Sequence, residues 1–267
     1  MKKLLLLLLC VPLIFTTCNK EEEENQSNNT NINYLGYILP NSNFDGLWKV
    51  YNNIEVKICE FSGIEDFDFI SEDIGFVMIS GEGFFKTTDG GDNWNLKSDF
   101  SGEKLDFISE NIGYTNDGDG LYKTTDGGLT WILINDLMNI QELNFISEHI
   151  GFVVLDDGVS SIDILFKTID GGLNWTKIDV NFTSDFSVQF LDEQVGFLAP
   201  NSTYDSELHK TIDGGNNWTF VTNTSAEVGD GEFFFISDQI GYIKSPDEED
   251  SYLSKTTDGG VTWNTLN

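Results

Sequence analysis

A nine-residue stretch, KTTDGGDNW at residues 86–94, returns four more times almost unchanged, and each copy is called a cassette below. The other cassettes are KTTDGGLTW (123–131), KTIDGGLNW (167–175), KTIDGGNNW (210–218) and KTTDGGVTW (255–263). A second phrase precedes every cassette: FDFISEDIGF (67–76), LDFISENIGY (105–114), LNFISEHIGF (143–152), VQFLDEQVGF (188–197) and FFFISDQIGY (233–242). Two phrases in a fixed order define a repeat, and successive cassette aspartates are 37, 44, 43 and 45 residues apart.

Each repeat predicts four short strands. The first phrase alternates apolar and polar residues up to a polar turn, and a Gly-aromatic pair then opens a second strand. A third strand leads into the cassette, and a fourth leaves it after the tryptophan. Small antiparallel sheets of this size bury both faces when they are stacked around an axis. We therefore predict an all-β fold with a single β-propeller of four-stranded blades over residues 33–267.

The number of blades follows from the count of repeats. Five full repeats run from about Ile64 to Asn267. Upstream, NSNFDGLW at residues 41–48 aligns with a decayed cassette, in which Asn43 replaces the aspartate and Trp48 is retained. We expect this segment to supply strands three and four of a partial N-terminal blade. The alternative is a ring of six blades with one incomplete.

The letters of the cassette have separate physical roles. The Gly-Gly pair provides left-handed backbone for the reversal, and the aspartate accepts N–H bonds of the turn, as in Asx-turns. The threonine two residues before the aspartate is expected to bond across the hairpin. Burying an indole contributes at most about 5 kcal/mol, so the tryptophan is expected to dominate. The predicted structural residues are Asp89, Trp94, Asp126, Trp131, Asp170, Trp175, Asp213, Trp218, Asp258 and Trp263, with the repeat glycines Gly75, Gly113, Gly151, Gly196 and Gly241.

Composition excludes one large class of partner. The 267 residues carry a formal net charge of −31, and all 14 cations are lysine, with no arginine. Phosphate backbones are repelled by such a charge, and recognition of phosphates and guanine edges relies on the arginine fork. The sequence therefore predicts no nucleic-acid partner, and the acidity is interpreted mainly as a source of solubility.

The N-terminus has the pattern of a targeting segment. Lys2 and Lys3 precede an apolar stretch from Leu4 to Phe15, which is too short to span a bilayer as a helix. Residues 1–17 are therefore predicted to be a signal peptide. The polar run that follows, residues 18–32, has almost nothing to bury and is predicted to be a disordered tether.

FTTC at residues 15–18, followed by NKEEEE, resembles a bacterial lipoprotein signal. The resemblance implies lipidation of Cys18, and the acidic run resembles the surface-export signal of Bacteroidetes lipoproteins. It departs from the usual pattern in having Phe15 and Thr17 where other residues are common. The implied location is the outer membrane of a Gram-negative bacterium, on the cell surface. The alternative is an ordinary cleaved signal peptide.

The cassette pattern Thr-x-Asp-Gly-Gly-x-Thr/Asn-Trp resembles the Asp-box, or bacterial neuraminidase repeat, of sialidases, sortilin-type receptors and xyloglucan-cleaving enzymes. Together with the upstream phrase it looks most like the photosystem II stability and assembly-factor propellers and their bacterial relatives. In these families the boxes lie away from the active centre. The resemblance implies a structural duty for the cassette aspartates, with calcium ligation as the alternative.

Catalysis is not expected. Sialidases that resemble the chain hold their substrate with three arginines, which this chain lacks. His149 and His209 are interpreted as solvated loop residues rather than metal ligands, and Cys59 as a small buried apolar residue. We therefore expect a monomeric, non-catalytic, assembly-factor-like lipoprotein without cofactor or metal, attached to a membrane by its lipid, that binds a protein or polysaccharide. The alternative is a glycoside hydrolase or carbohydrate-binding propeller.

Overall fold

The computed structural model describes residues 34–38, 47–51, 54–59, 63–156, 158, 163–180, 185–200, 207–223, 233–244 and 253–266, with side chains from residue 63 onwards apart from those of Lys244, Leu253 and Leu266. Within these ranges all regular structure is β-strand. No helix in them is long and apolar enough to cross a membrane. The predicted signal peptide, Cys18 and the tether lie outside the described residues.

The N-terminal sheet has three strands: β1 (Tyr34–Ile38), β2 (Leu47–Tyr51) and β3 (Ile54–Cys59), in the order β1-β2-β3. The expectation of two strands only is wrong, because β1 and β3 both pair with β2 in antiparallel register. Trp48 lies inside β2, opposite Ile38 and Lys57. The tryptophans of the five cassettes instead stand one residue before a fourth strand.

Five four-stranded antiparallel blades follow, which confirms the predicted propeller. Blade 1 contains β4 (Ile64–Phe69), β5 (Gly75–Ile79), β6 (Gly83–Thr87) and β7 (Asn95–Ser98). Blade 2 contains β8 (Lys104–Phe107), β9 (Gly113–Asp117), β10 (Gly120–Thr124) and β11 (Ile132–Asn135). Blade 3 contains β12 (Ile140–Phe145), β13 (Gly151–Asp156), β14 (Asp163–Thr168) and β15 (Thr176–Ile178).

Blade 4 contains β16 (Phe186–Phe190), β17 (Gly196–Pro200), β18 (Glu207–Thr211) and β19 (Thr219–Asn223). Blade 5 contains β20 (Phe233–Phe235), β21 (Gly241–Lys244), β22 (Leu253–Thr256) and β23 (Asn264–Leu266). First strands of consecutive blades lie side by side, β4 with β8, β8 with β12, and β12 with β16. The phrase that begins each repeat therefore forms the inner part of the ring, and the cassettes lie in its outer half.

The core between blades is a series of stacked aromatic pairs. The aromatic residue that opens the second strand of one blade stacks face to face on the last residue of the first strand of the next blade. Ring centroids are 3.4–3.6 Å apart in the four pairs, which are Phe76–Phe107, Tyr114–Phe145, Phe152–Phe190 and Phe197–Phe235. All eight side chains are at most 1% exposed. These pairs bury the large apolar area that holds neighbouring blades together.

The repeat glycines make this stacking possible. Each one lies directly opposite the phenylalanine that ends the first strand of its own blade, as Gly151 does opposite Phe145. A Cβ atom on any of the five would lie 2.2–2.8 Å from that ring, well inside van der Waals contact. Glycine at these positions is required by the close approach of a ring, and left-handed backbone is not involved.

The strand connections divide the ring into two rims. Turns between strands one and two share one end of each blade with the cassettes, and this end is called the cassette rim. Connections between strands two and three, and between successive blades, share the opposite end, the loop rim. The connection between strands two and three is described in full in blades 1 and 2. It is shorter in blade 2, where only Gly118 and Asp119 separate β9 from β10.

Candidate functional site

The cassette aspartates were the first candidate site, and the structure places one at the outer end of each blade. In blade 3 the Asp170 Oδ1 atom accepts bonds from the Thr168 hydroxyl at 2.9 Å and the Asn174 N–H at 2.9 Å. The Asn174 side-chain amide donates to Oδ2 at 2.8 Å. The same three bonds recur around Asp89, Asp126, Asp213 and Asp258.

These bonds favour the ionised carboxylate. The pKa of Asp170 is lowered, first by the Asn174 side chain and then by the Asn174 N–H and the Thr168 hydroxyl. The pKa values of the other four are lowered as well, although burial opposes the shift most strongly at Asp89. Both oxygens of each carboxylate face the turn's own donors, an arrangement that organises the loop around the aspartate.

One partner in this network was not singled out from the sequence, and the bond expected of another differs. The residue before the tryptophan is always asparagine or threonine, and its backbone and side chain both donate to the aspartate: Asn93, Thr130, Asn174, Asn217 and Thr262. The threonine that was expected to bond across the hairpin instead bonds inside the turn. In blade 3, Thr168 Oγ1 accepts the Gly172 N–H at 3.0 Å while donating to Asp170. The glycine pair has positive φ in every cassette, as expected, for example 73° and 92° at Gly171 and Gly172.

The cassette tryptophans lie at the edge of the core rather than in its centre. Each packs edge-on against the phenylalanine that ends the first strand of its own blade, with ring centroids 5.9–6.0 Å apart. Trp94 is buried, whereas Trp131, Trp175, Trp218 and Trp263 are half-buried. The largest fully buried side chains are phenylalanines and Tyr114, and they include all eight rings of the stacked pairs. The tryptophans therefore close the outer margin of each aromatic pair.

The cassette lysines also have internal partners. Each ammonium lies 5.2–5.5 Å from the centroid of the strand-two aromatic ring of its own blade, a cation–π geometry. Lys86 also reaches Glu110 of the next blade at 3.3 Å, and Lys123 reaches Glu148 at 3.3 Å. Lys167 and Lys210 donate to the backbone carbonyls of Glu193 and Asp238 in the same way. Four of the five cations thus connect neighbouring blades, so they add little positive charge to a docking surface.

The inner strands carry a second set of polar residues, called clips here. In blades 1 to 4 the penultimate residue of the first strand accepts the N–H of the stacked phenylalanine in the next blade. Asp68 binds Phe107 at 2.6 Å, and Asn144 binds Phe190 at 2.8 Å. Asp106 binds Phe145, and Gln189 binds Phe235 at 2.6 Å. The fifth blade has Phe234 at this position, and its ring stacks on Tyr242.

The clips cap the inner edges of the blades. An unpaired strand edge exposes backbone groups, and a side chain from the preceding blade satisfies them here. Asp66 and Glu142 add a second bond of the same kind, to Leu105 and Val188 at 2.8 Å each. A sequence signal for the clips existed, because Asp, Asp, Asn and Gln recur between two apolar residues of the phrase. These acidic residues near the axis are thus committed to backbone bonds.

The two histidines differ from each other. His149 is exposed in the turn before β13, as expected. His209 is 9% exposed inside β18, with Nε2 2.8 Å from Glu207 Oε2 and an edge contact to Phe220. The interpretation of His209 as a solvated loop residue is therefore wrong. It occupies a strand position that is aromatic in the first three blades, as at Tyr122, and its ring packs accordingly.

Calcium ligation by the cassette aspartates is the alternative to their structural role. Among the described residues no group of three or more histidine, cysteine, aspartate or glutamate side chains is arranged to hold an ion. Asp163 and Asp156 stand opposite each other in blade 3, and Asp163 Oδ2 accepts the Phe186 N–H of blade 4 at 2.8 Å. Burial, aided by the charges of Asp185 and Asp156, raises the pKa of Asp163 to about 6. The Asp163 carboxyl thus accepts one more hydrogen bond between blades 3 and 4.

Comparisons with known proteins agree with the architecture. No family profile and no curated protein matches the sequence. Among solved structures, the chain is similar to YCF48 bound to a D1 peptide, with 15% identity over 86% of this chain and 84% of that chain and a TM-score of 0.56. YCF48 from Cyanidioschyzon merolae gives 13% identity over 90% and 86% of the two chains, with a TM-score of 0.53.

A second group of similar structures consists of GH74 enzymes. The enzyme from Niastella koreensis gives 16% identity, a TM-score of 0.59, and coverage of 86% of this chain but 43% of that chain. The GH74 xyloglucanase from Xanthomonas campestris gives 12% identity, a TM-score of 0.57, and coverage of 88% and 45%. The chain thus spans less than half of these enzymes. At such identities the likeness establishes the β-propeller fold and nothing finer.

Proposed function

We propose that the protein is a non-catalytic binding scaffold, a lipoprotein whose propeller presents a rigid surface to a macromolecular partner. One observation supports this most directly: the polar residues that the repeats share are used within the ring. The cassette aspartates bind their own turns, and the clips bind the next blade. The residues left to meet a partner are those that differ between blades.

The proposed location is the outer membrane, with the propeller on the cell surface and Cys18 carrying the lipid. The support is the pattern of residues 1–24, in which an apolar stretch ends at Cys18 and an acidic run follows. Two measurements test it. Globomycin should block processing of the precursor, and protease added to intact cells should remove the propeller. A Cys18→Ala variant that is processed and anchored normally would contradict the proposal.

The proposed partner is a protein or a polysaccharide. The likeness to YCF48, which was solved with a bound D1 peptide, favours a protein. The test is capture from envelope extracts on immobilised propeller, with an unrelated propeller of similar net charge as the control, together with a glycan array. Enrichment of one protein or one glycan over the control is expected. Equal recovery on both propellers would contradict a specific binding function.

A glycoside hydrolase is the second candidate, and the similarity to GH74 structures favours it. The chain spans 43% and 45% of those two enzymes, so an activity of this kind would need a site built within one propeller. Release of reducing ends from xyloglucan by the purified chain would establish this candidate and remove the non-catalytic proposal. We expect no release, because carboxylates of the described inner strands already bind backbone N–H groups.

A further inference from the structure

The outer side of blade 2 differs from those of the other four described blades. Three apolar side chains lie close together in sequence at the cassette and the start of β11, and all are well exposed: Leu129 at 56%, Ile132 at 63% and Leu133 at 48%. Burying such side chains is favourable by roughly 25 cal/mol per Å² of apolar surface. Successive strand residues point to opposite faces of a sheet, so Ile132 and Leu133 expose apolar surface on both sides of this edge. Exposed apolar surface that the fold does not require marks interaction surfaces.

The repeat provides its own comparison. At the position of Ile132 the other blades have asparagine or threonine: Asn95, Thr176, Thr219 and Asn264. At the three positions together, blade 1 has Asp92, Asn95 and Leu96, and blade 3 has Leu173, Thr176 and Lys177. Only blade 2 is apolar at all three. Since the same fold accepts polar residues there, the apolar residues of blade 2 are not required by the architecture.

Aromatic and acidic residues flank this surface. Tyr122 pairs with Leu133 in the register of β10 and β11, and Phe100 packs edge-on against Tyr122 with centroids 4.9 Å apart. Leu133 also lies against Gly120, at the end of the two-residue turn that carries Asp119. Burial, and then the charge and hydrogen bond of Asp117 with the charge of Asp119, raises the pKa of Tyr122. Two carboxylates thus lie within electrostatic reach of Tyr122, the partner of Leu133 in the strand register.

The strand itself has a free edge. Within the described part of the chain β11 is hydrogen-bonded to β10 alone, so it is the last strand of its sheet. A bulge in β11, opposite Leu121 and Tyr122, interrupts the regular pairing beyond Leu133. Ile132 and Leu133 lie before this bulge, in the regularly paired part of the strand. An extended peptide can add to such an edge, with main-chain bonds providing affinity and side chains providing specificity.

Charge selects between possible occupants. The chain has a formal net charge of −31, and Asp117, Asp119 and Asp136 border this surface in the sequence and in the strands. A second copy would bring like charges together across the contact, which costs free energy. A cationic segment would instead meet complementary charge, and its ammonium or guanidinium groups could lie over Tyr122.

We propose that the outer edge of blade 2 docks an extended polypeptide rich in lysine or arginine, whose apolar side chains cover Leu129, Ile132 and Leu133 and whose cations pair with Asp117, Asp119 and Asp136. This inference rests on the proposed binding function and names the surface and the chemistry of the partner.

The test uses a fluorescein-labelled ten-residue peptide in which pairs of lysines alternate with pairs of valines, so that both faces of the extended peptide carry both residue types. Fluorescence anisotropy is the readout and the full chain is the receptor. An Ile132→Thr/Leu133→Lys variant introduces the residue types that blade 3 has naturally, so it is expected to fold. It should weaken binding about tenfold or more, the loss expected for a central contact. Leu96→Lys, at the matching and 51% exposed position of blade 1, adds the same charge and should change Kd less than about twofold.

Further measurements separate the alternatives. A peptide with glutamate in place of lysine should not bind. Equal losses in the blade 1 and blade 2 variants would mean unspecific attraction to an acidic protein and would overturn the inference, as would an unchanged Kd in the blade 2 variant. Concentration-dependent dimerisation in sedimentation velocity that Leu133→Lys abolishes would assign the surface to a second copy instead.

The two proposals fail in different ways. If the blade 2 variant still captures the envelope partner as well as the wild type does, the binding function stands and this surface is wrong. If the wild type captures no envelope partner and binds no peptide, both proposals are wrong. Melting curves of each variant confirm that a loss of binding is not a loss of fold.

Discussion

Asp163 is a buried carboxyl whose ionisation opposes folding. It is 7% exposed, and its pKa is raised to about 6, mainly by burial. A carboxyl with a raised folded-state pKa stabilises the fold below its unfolded pKa of 3.8, and this contribution is lost as pH rises through about 6. A shift of this size corresponds to about 2–3 kcal/mol.

The Asp163→Asn variant should therefore unfold at higher denaturant concentration than the wild type at pH 8. The advantage should shrink as pH falls from 6 towards 4, because the wild-type carboxyl becomes protonated. Asparagine retains an acceptor for the Phe186 N–H, as Asn144 does for Phe190. Urea unfolding at several pH values measures the effect, and Asp179→Asn, at an exposed side chain, serves as control. A constant difference between wild type and variant across this range would contradict the raised pKa.

Substitutions of Trp175 and Asp170 compare how much the tryptophan and the aspartate of one cassette contribute to stability. Trp175→Ala removes an edge contact to Phe145 and should lower the free energy of unfolding by about 2–3 kcal/mol, less than for a fully buried indole. Asp170→Asn should lower the melting temperature by less, because asparagine keeps an acceptor oxygen in the turn. Calorimetry compares the two variants. Loss of partner binding in Asp170→Asn without a change in melting would show that this carboxylate has a role beyond the turn.

At the scale of the strand, the repeat glycines are the most constrained positions. Gly151→Ala would place a Cβ 2.5 Å from the Phe145 ring, which is held against Tyr114 at 3.4 Å and has no free space to move into. We expect a loss of about 1–3 kcal/mol, the usual cost of overpacking. The control is Gly118→Ala, where nothing lies within 4 Å of the added atom. Chemical denaturation of both variants measures the difference, and equal stability would contradict this account of the glycine.

The strands and blades could be predicted because their signals are local and repeated. Alternation in FDF and LDF indicates strands, and the spacing of cassettes counts blades. The sequence did not reveal which ring packs on which, because Tyr114 and Phe145 meet across a blade boundary and not within a phrase. For the same reason the importance of the tryptophans was overestimated relative to the phenylalanines. His209 was misjudged because its strand position is defined only by comparison with Tyr122.

At the scale of the whole molecule, charge is distributed unevenly. Four cassette lysines bind acidic or carbonyl groups of the next blade, namely Lys86, Lys123, Lys167 and Lys210. Because these cations are used between blades and the formal net charge is −31, negative charge dominates the surface. Repulsion among exposed carboxylates destabilises a compact acidic protein, and salt screens it as the Debye length falls from about 10 Å at 0.1 M to 3 Å at 1 M.

The melting temperature should therefore rise by several degrees when sodium chloride is increased at pH 8. At pH 4.5 the rise should be smaller, since part of the carboxylates are protonated. Differential scanning fluorimetry across a salt series at both pH values measures this. A fall in melting temperature with salt at pH 8 would mean that the lysine contacts outweigh the general repulsion.

The clips run in one direction around the ring. Asp68 precedes its donor, Phe107, by 39 residues, and Asn144 precedes Phe190 by 46. If the chain emerges N-terminus first, as it would from an export channel, each acceptor appears before the N–H group that it will bind. Each new blade then meets acceptors already present on the blade before it, so the propeller is suited to sequential assembly from its N-terminal side.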